Sequence, residues 1–210
     1  MNGDIEYGNF GGGLMSVGHR VAPGAPVRKS AALSGMITPA IQGWACVYNK
    51  PHSYKSRIEI FSPGAFDATL AARDVVEFRV DHDPGDIIAS TADRLELLSD
   101  RTGLAFRMKL RDDGIGDLVL KRQADAMSVG YKEIDVEEVE IEGEKVRMIR
   151  KAALTEISLV RRGAVRQTFA TLVDAAKCAP LSVETKGSGF GVEASYRRLM
   201  RVLEDVGDRS

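Results

Sequence analysis

The sequence is poor in the residues that build disulfide frameworks and metal sites. Only two cysteines, Cys46 and Cys178, occur in 210 residues, and they lie far apart without a CxxC pattern. We therefore expect neither a structural disulfide nor a zinc site, and a reducing compartment. The chain has three histidines, and no two stand at the spacing of metal ligands. The composition predicts no metal and no cofactor.

Charge of one sign and long apolar runs are also missing. The formal net charge is -1, which gives no broad electrostatic attraction to nucleic acid or to an anionic membrane. No apolar run approaches the length that spans a bilayer, and residues 1–5 lack the basic and apolar regions of a secretory signal. These absences predict a cytosolic protein with no nucleic-acid or membrane partner.

The distribution of small residues divides the chain into four parts. Residues 1–32 are rich in Gly, Ala, Pro and Ser, which predicts a mobile leader before an ordered domain at 33–178. A Gly- and Ser-containing stretch at 179–191 is typical of a flexible connector. Residues 192–210 carry one apolar stripe and predict an amphipathic helix that packs either on its own domain or on a partner; the stripe consists of Val192, Tyr196, Leu199, Leu203 and Val206.

Within the ordered domain, strand patterns dominate. Alternating or β-branched segments predict strands near 41–48, 57–61, 75–80, 95–98, 104–111, 128–139, 145–150 and 152–160. Helical spacing predicts short helices at about 62–70, capped by Ser62, at 115–125 and at 164–177. This pattern predicts a mainly β (α+β) fold in which a small closed barrel is surrounded by peripheral helices.

Ser128 is the candidate nucleophile. It lies in the segment Asp125–Tyr131, where a predicted helix passes into a strand, and such a junction can expose a hydroxyl beside backbone N–H groups that stabilise an oxyanion. The alternative is an ordinary turn serine. A dyad with Lys132 is disfavoured, because four residues along a strand separate the two positions by roughly 13 Å.

His82 and Glu156 are the candidate base and orienting acid. His82 ends a predicted strand among acidic residues, whereas His19 and His52 fall in the leader and in a proline-adjacent loop. A loop histidine capped by Asp81 or Asp83 is the alternative. Glu156 interrupts the apolar strand Ala153–Val160, so its carboxylate needs a partner, which is either a histidine N–H or an arginine of a neighbouring strand. Asp83 is a rival orienting group.

Two further features have plain structural alternatives. Arg161 and Arg162 directly follow the Glu156 strand and precede a glycine. They are either a solvated strand end or, with a guanidinium or a backbone amide that it positions, a site for a developing oxyanion. Cys46 lies between apolar residues, which favours a core thiol over a nucleophile.

Together these segments resemble a known family. The matching stretches follow one another in a consistent order over about residues 35–175: Gly43–Ala45, Glu59–Phe66, Val80–Asp83, Thr102–Leu104, Met127–Tyr131 and Leu154–Val160. They resemble the HK97-type phage prohead (capsid maturation) serine proteases, which are similar in fold to herpesvirus assemblin. The resemblance implies that His82 is the general base, Ser128 the nucleophile and Glu156 the third member, and that the arginines at 161–162 serve the oxyanion site.

The resemblance also implies substrates and a place of action. They are the scaffold segment of the major capsid protein and the protease itself, cleaved inside the assembling prohead in the host cytoplasm. The leader and the tail after Ala179 are candidate self-cleavage regions, and a homodimer is possible by analogy with assemblin. Two rival classes remain: a non-catalytic capsid-assembly module with the same barrel, and a different hydrolase such as an esterase. The absence of a GxSxG motif disfavours an α/β-hydrolase.

Overall fold

The computed structural model describes residues 6–7, 33, 35–54, 57–111, 113–141, 144–161, 163 and 167–181. These residues form two sheets, two short α-helices and one 3₁₀-helix. The seven-stranded sheet contains β1 (Glu6–Tyr7), β3 (Pro51–Tyr54), β4 (Arg57–Phe61), β5 (Glu77–Val80), β6 (Ile87–Ser90), β9 (Ala126–Ile141) and β10 (Glu144–Val160). The four-stranded sheet contains β2 (Pro39–Val47), β7 (Leu95–Ser99), β8 (Gly103–Lys109) and β11 (Phe169–Asp174). The helices are α1 (Asp67–Ala72), α2 (Ile115–Leu120) and the 3₁₀-helix Ala175–Lys177.

The prediction of a mainly β fold with few helices is confirmed. The strand order is β1-β9-β10-β4-β3 in the larger sheet, with β5 joined to β10 and β6 to β5, and β11-β2-β8-β7 in the smaller sheet. Closure into one barrel is not confirmed, because the pairings of the described strands divide them between two sheets.

The hydrophobic core draws on both sheets. Ile41, Phe106 and Met108 contribute from the four-stranded sheet, and Phe78 and Ile157 from the seven-stranded sheet. Each of these side chains is fully buried, and the rings of Phe78 and Phe106 lie 5.9 Å apart across the core. Removal of this apolar surface from water is the main stabilisation that holds the sheets together.

Strand β10 organises the larger sheet. It pairs along its whole length with β9 in antiparallel fashion, while Val146–Ile149 pair in parallel with β4 and Glu156–Leu159 pair in parallel with β5. The strands predicted separately at 145–150 and 152–160 are therefore one strand, with register shifts around Lys151 and between Leu154 and Glu156. The end of β10 that holds Glu156 thus lies between β9, which carries Ser128, and β5, which precedes His82.

Three helix predictions need correction. The helix expected at 164–177 is wrong over 169–174, which form β11, because the β-branched and small residues of this segment pair with β2 across the sheet; only Ala175–Lys177 are helical, and residues 164–166 lie outside the described residues. Ser62 does not cap α1, since that helix begins after Phe66 and a turn with Gly64 at φ 82° intervenes. Helix α2 ends at Leu120 instead of residue 125.

Most of the leader, the connector beyond residue 181 and the predicted helix at 192–210 lie outside the described residues. Cys46 is buried in the core as expected, and burial raises the pKa of its thiol, which keeps the sulfur protonated and poorly nucleophilic. Within the described part of the chain, no helix is long and apolar enough to cross a membrane.

Candidate active site

His82 and Glu156 are in direct contact. The His82 Nδ1 lies 2.6 Å from Glu156 Oε1, and the Glu156 side chain is completely buried while that of His82 is 12% exposed. A carboxylate can only accept a hydrogen bond, so the geometry places the imidazole proton on Nδ1 and leaves Nε2 as the basic nitrogen of the neutral ring. The partner of Glu156 is therefore the histidine and not an arginine of a neighbouring strand.

The backbone around His82 is strained but anchored. Asp81 and His82 have φ values of 49° and 62°, in the left-handed region that non-glycine residues seldom adopt. Asp81 N–H donates to the Leu159 carbonyl at 3.0 Å, and Asp83 N–H donates to the Val80 carbonyl at 3.0 Å. The His82 N–H donates to Ser158 Oγ at 3.2 Å. These bonds hold the turn after β5 against the end of β10 and direct the imidazole toward Glu156.

Ser128 lies on β9 near the same end of β10. In the antiparallel pairing of the two strands, Ser128 is directly opposite Ser158, and Met127 is opposite Leu159. The Cβ atoms of directly opposed residues are separated by only about 4.5–5.5 Å. Ser128 and Ser158 are therefore direct cross-strand neighbours. The Ser158 hydroxyl is hydrogen-bonded both to the His82 backbone and to Glu156.

Two residues of this arrangement were missed by sequence reasoning. Ser158 is fully buried and donates its hydroxyl proton to Glu156 Oε2 at 2.6 Å. Gly130 pairs with Glu156, and a Cβ at position 130 would lie 2.3 Å from Glu156 Oε1. A glycine inside a strand signals close approach of another group, and a second polar residue on the Glu156 face of an apolar strand signals a hydrogen-bond network. Those signals were present in the sequence.

The arginine turn is only partly described. Arg161 is exposed directly after β10, and Arg162 lies outside the described residues. Gly163 nevertheless places this segment beside the start of β9, because a Cβ on Gly163 would lie 3.1 Å from the Met127 carbonyl oxygen. Thr168 also donates to that carbonyl at 2.8 Å. The turn after β10 thus passes close to the residue that precedes Ser128.

The other candidates from the sequence have separate roles. Asp83 accepts from Gly85 N–H at 2.8 Å and so caps a turn, and Lys132 is exposed. His52 lies 3.5 Å from the buried Glu59 carboxylate, in a cluster with Tyr131 and Arg147. Burial by itself raises the pKa of Glu59, but the contacts with His52, Tyr131 and Arg147 outweigh it, so the Glu59 pKa is lowered overall.

Among the residues that the structure describes, no group of three or more His, Cys, Asp or Glu side chains is arranged to hold a metal ion. The side chains of the site comprise a hydroxyl, an imidazole and a buried carboxylate. These are the group types that combine as nucleophile, base and orienting acid in acyl transfer.

The chain matches the model of a protein family. Residues 26–181, well over half of the chain, match the family model described as "Caudovirus prohead serine protease". No curated protein matches the sequence.

Proposed function

The chain belongs to the caudovirus prohead serine protease family, and on that premise we propose that it is a prohead maturation endopeptidase with a triad of Ser128, His82 and Glu156. Its substrates are the scaffold segment of the major capsid protein and the protease chain itself. It acts inside the assembling procapsid in the host cell. The single observation that supports the triad best is the contact between His82 Nδ1 and the buried Glu156 carboxylate, with Ser128 on the adjacent strand.

The proposed mechanism is acyl transfer to the serine. His82 Nε2 accepts the Ser128 hydroxyl proton as Oγ attacks the scissile carbonyl carbon, and the protonated ring then donates that proton to the leaving amine. Water hydrolyses the resulting ester in a second step with the same base. Glu156 holds the proton on Nδ1 and stabilises the imidazolium that forms in each half of the reaction.

The oxyanion site is proposed for the turn that follows β10. Arg161 and Arg162 are the candidates, through a guanidinium or a backbone amide that they position. The position of Gly163 beside the Met127 carbonyl supports this assignment, because it brings the turn next to the residue that precedes the nucleophile.

Self-cleavage near the N-terminus is supported by the pairing of β1. Glu6 is opposite Tyr131 and Tyr7 is opposite Gly130 in an antiparallel pair, so this dipeptide lies beside β9 only two residues from Ser128. An N-terminal segment that reaches this position in the same molecule has a high effective concentration at the site. The tail after Ala179 is the second proposed region of self-cleavage.

The proposal is tested by co-expression with the major capsid protein. We expect the wild-type chain to shorten the capsid protein and itself, and Ser128→Ala to leave both at full length while remaining folded. Ser62→Ala is the matched control, because Ser62 donates its backbone N–H to Ile149, toward the other end of β10. Mass spectrometry of both proteins gives the cleavage positions.

Three outcomes would contradict the proposal, and the last two would favour the rival functions. If Ser128→Ala still processes the capsid protein, the nucleophile is assigned wrongly. If the assembled wild-type protein neither cleaves peptides nor reacts with a fluorophosphonate probe at Ser128, the chain is a non-catalytic assembly module. Turnover of ester substrates without cleavage of peptide substrates would instead indicate an esterase.

A further inference from the structure

We propose that Ser158 is a positioning residue that holds the base and the acid of the active site in one geometry. The inference rests on the proposed triad and adds to it a residue with no part in the bond-breaking steps. Ser158 belongs to β10, two residues after Glu156 and directly opposite Ser128, and its side chain is inaccessible to solvent.

The hydroxyl of Ser158 makes two different bonds. As a donor it gives its proton to Glu156 Oε2 at 2.6 Å, and as an acceptor it receives the His82 backbone N–H at 3.2 Å. A hydroxyl has one proton to donate and lone pairs to accept, so both bonds form at once with the same oxygen. Ser158 therefore connects the backbone of the base to the side chain of the acid.

The first bond orients the carboxylate. One oxygen of Glu156 is hydrogen-bonded to His82 Nδ1 and the other to Ser158 Oγ. These two bonds together fix the orientation of the carboxylate plane. A buried carboxylate oxygen without a donor is costly, and rotation of Glu156 to find another donor would move Oε1 away from the imidazole. Ser158 prevents that rotation.

The second bond holds the strained turn. His82 has φ 62° and follows Asp81 at φ 49°, and such conformations persist only when surrounding contacts enforce them. The Asp81 and Asp83 N–H groups are anchored on backbone carbonyls, whereas the His82 N–H is anchored on the Ser158 side chain. A substitution at position 158 thus releases an anchor on the backbone of the base itself.

The test compares Ser158→Ala with Ser158→Thr in the full-length protein. Ser158→Ala removes both bonds, and we expect kcat for cleavage of a capsid-derived peptide to fall about 100-fold with KM unchanged, since small displacements of catalytic groups cost rate and not binding. Ser158→Thr retains the hydroxyl and is expected to recover most of kcat. Thr69→Val is the matched control, because the Thr69 hydroxyl is also buried and also serves β10, where it accepts from the Leu154 N–H at 3.0 Å.

A spectroscopic measurement makes the result independent of turnover. A proton held between His82 Nδ1 and Glu156 at 2.6 Å is expected to give a far-downfield NMR signal, as short charge-assisted hydrogen bonds do. In a Ser128→Ala background, which prevents self-cleavage, we expect this signal to broaden or vanish with Ser158→Ala and to persist with Ser158→Thr and with Thr69→Val.

The outcomes separate this inference from the proposed function. If Ser158→Ala retains both the wild-type kcat and the downfield signal, or loses no more kcat than Thr69→Val, the positioning role is wrong and the triad stands. If the wild-type chain neither cleaves nor labels, the proposed function fails, and the NMR comparison still decides whether Ser158 holds His82 against Glu156.

Discussion

The Glu156 carboxylate leaves no room for a side chain at position 130. A Cβ there would lie 2.3 Å from Oε1 and 2.9 Å from the Cδ and Cγ atoms of Glu156. Because both carboxylate oxygens are engaged by His82 and Ser158, the side chain cannot move aside without breaking one of these bonds.

Gly130→Ala is therefore expected to destabilise the fold by about 1–3 kcal/mol through overpacking and to abolish processing of the capsid protein. Urea unfolding and the co-expression assay measure the two effects. Gly35→Ala is the control, since a Cβ at position 35 has no neighbour within 4 Å. A Gly130→Ala protein with wild-type activity would show that Glu156 does not need its observed position.

Glu156 itself is tested by an isosteric change. Glu156→Gln keeps the size of the side chain but removes the charge that favours a protonated Nδ1 and stabilises the imidazolium, so we expect kcat to fall by a factor on the order of 10³–10⁴. Rates of peptide cleavage measure the loss, and far-UV circular dichroism checks that the sheets are intact. Asp83→Asn is the comparison: a larger loss there than with Glu156→Gln would restore Asp83 as the orienting acid.

For individual residues, the sequence indicated which side chains could be catalytic better than it indicated which residues contact them. The resemblance implied roles for His82, Ser128 and Glu156, which stay predictions; the structure shows the contact between His82 and Glu156. Ser158 and Gly130 carried only general signals, a second polar residue on the Glu156 face and a glycine inside a strand, and their place in the site depends on the cross-strand register of β9 and β10. Register is set by long-range pairing and cannot be obtained from the alternation of one strand.

Among the secondary-structure elements, the pairing of β2 with β11 requires a glycine in β2. Gly43 pairs with Ala170, and a Cβ on Gly43 would lie 1.7 Å from the Phe169 carbonyl oxygen. The obstacle is backbone, so it cannot be relieved by a side-chain rotation. Gly43→Ala is expected to separate β11 from β2 locally and to cost about 3 kcal/mol or more of unfolding free energy, at or above the upper end for overpacked sites.

Urea unfolding monitored by the fluorescence of Trp44 measures this loss, because Trp44 is the single tryptophan and pairs with Phe169 across the same two strands. Unfolding at an unchanged urea midpoint would contradict the expected clash. The same junction explains why the helix predicted at 164–177 was wrong: a six-residue segment with buried Ala170 and Thr171 satisfies its backbone by pairing with β2, which a local helical pattern cannot anticipate.

For the whole molecule, alternation was enough to predict a mainly β chain but not the division into two sheets. Closure depends on pairings between strands far apart in sequence, such as β2 with β11 and β5 with β10. Turn residues in the sequence identify the pairing partner only for strands that are joined by a short hairpin. They do not identify the partners of strands that are far apart in sequence. β7 and β8 are a pair joined by a short hairpin: the strands predicted near 95–98 and 104–111 follow one another directly, and they pair in antiparallel fashion on either side of residues 100–102.

Asp174 joins the two ends of the described domain and makes its stability depend on pH. Its carboxylate accepts hydrogen bonds from Thr38 N–H at 2.9 Å and from Ile37 N–H at 3.1 Å. These bonds connect the residues just before β2 to the last residue of β11. The bond from the Thr38 backbone is the main reason that the pKa of Asp174 lies below its ordinary value of 3.8. Because the folded pKa is the lower one, the unfolded chain binds the proton first as pH falls.

The stabilisation from Asp174 is accordingly complete above its ordinary pKa and is lost as pH falls through the lowered value. We expect the urea midpoint of the wild-type chain to decrease between about pH 5 and pH 2 and Asp174→Asn to show a smaller decrease, since the amide oxygen still accepts hydrogen bonds but does not titrate in this range. Lys177→Met is the control; it removes the ion pair with Asp174 at 3.4 Å but leaves the backbone bonds, so most of the decrease should remain.

Glu59, whose pKa is also lowered, adds to the slope in every variant, while the raised pKa of Asp86, caused by burial and by Asp83, acts in the opposite direction. Identical slopes for the wild type and Asp174→Asn would mean that the tie between Asp174 and residues 37–38 is not a source of the acid sensitivity.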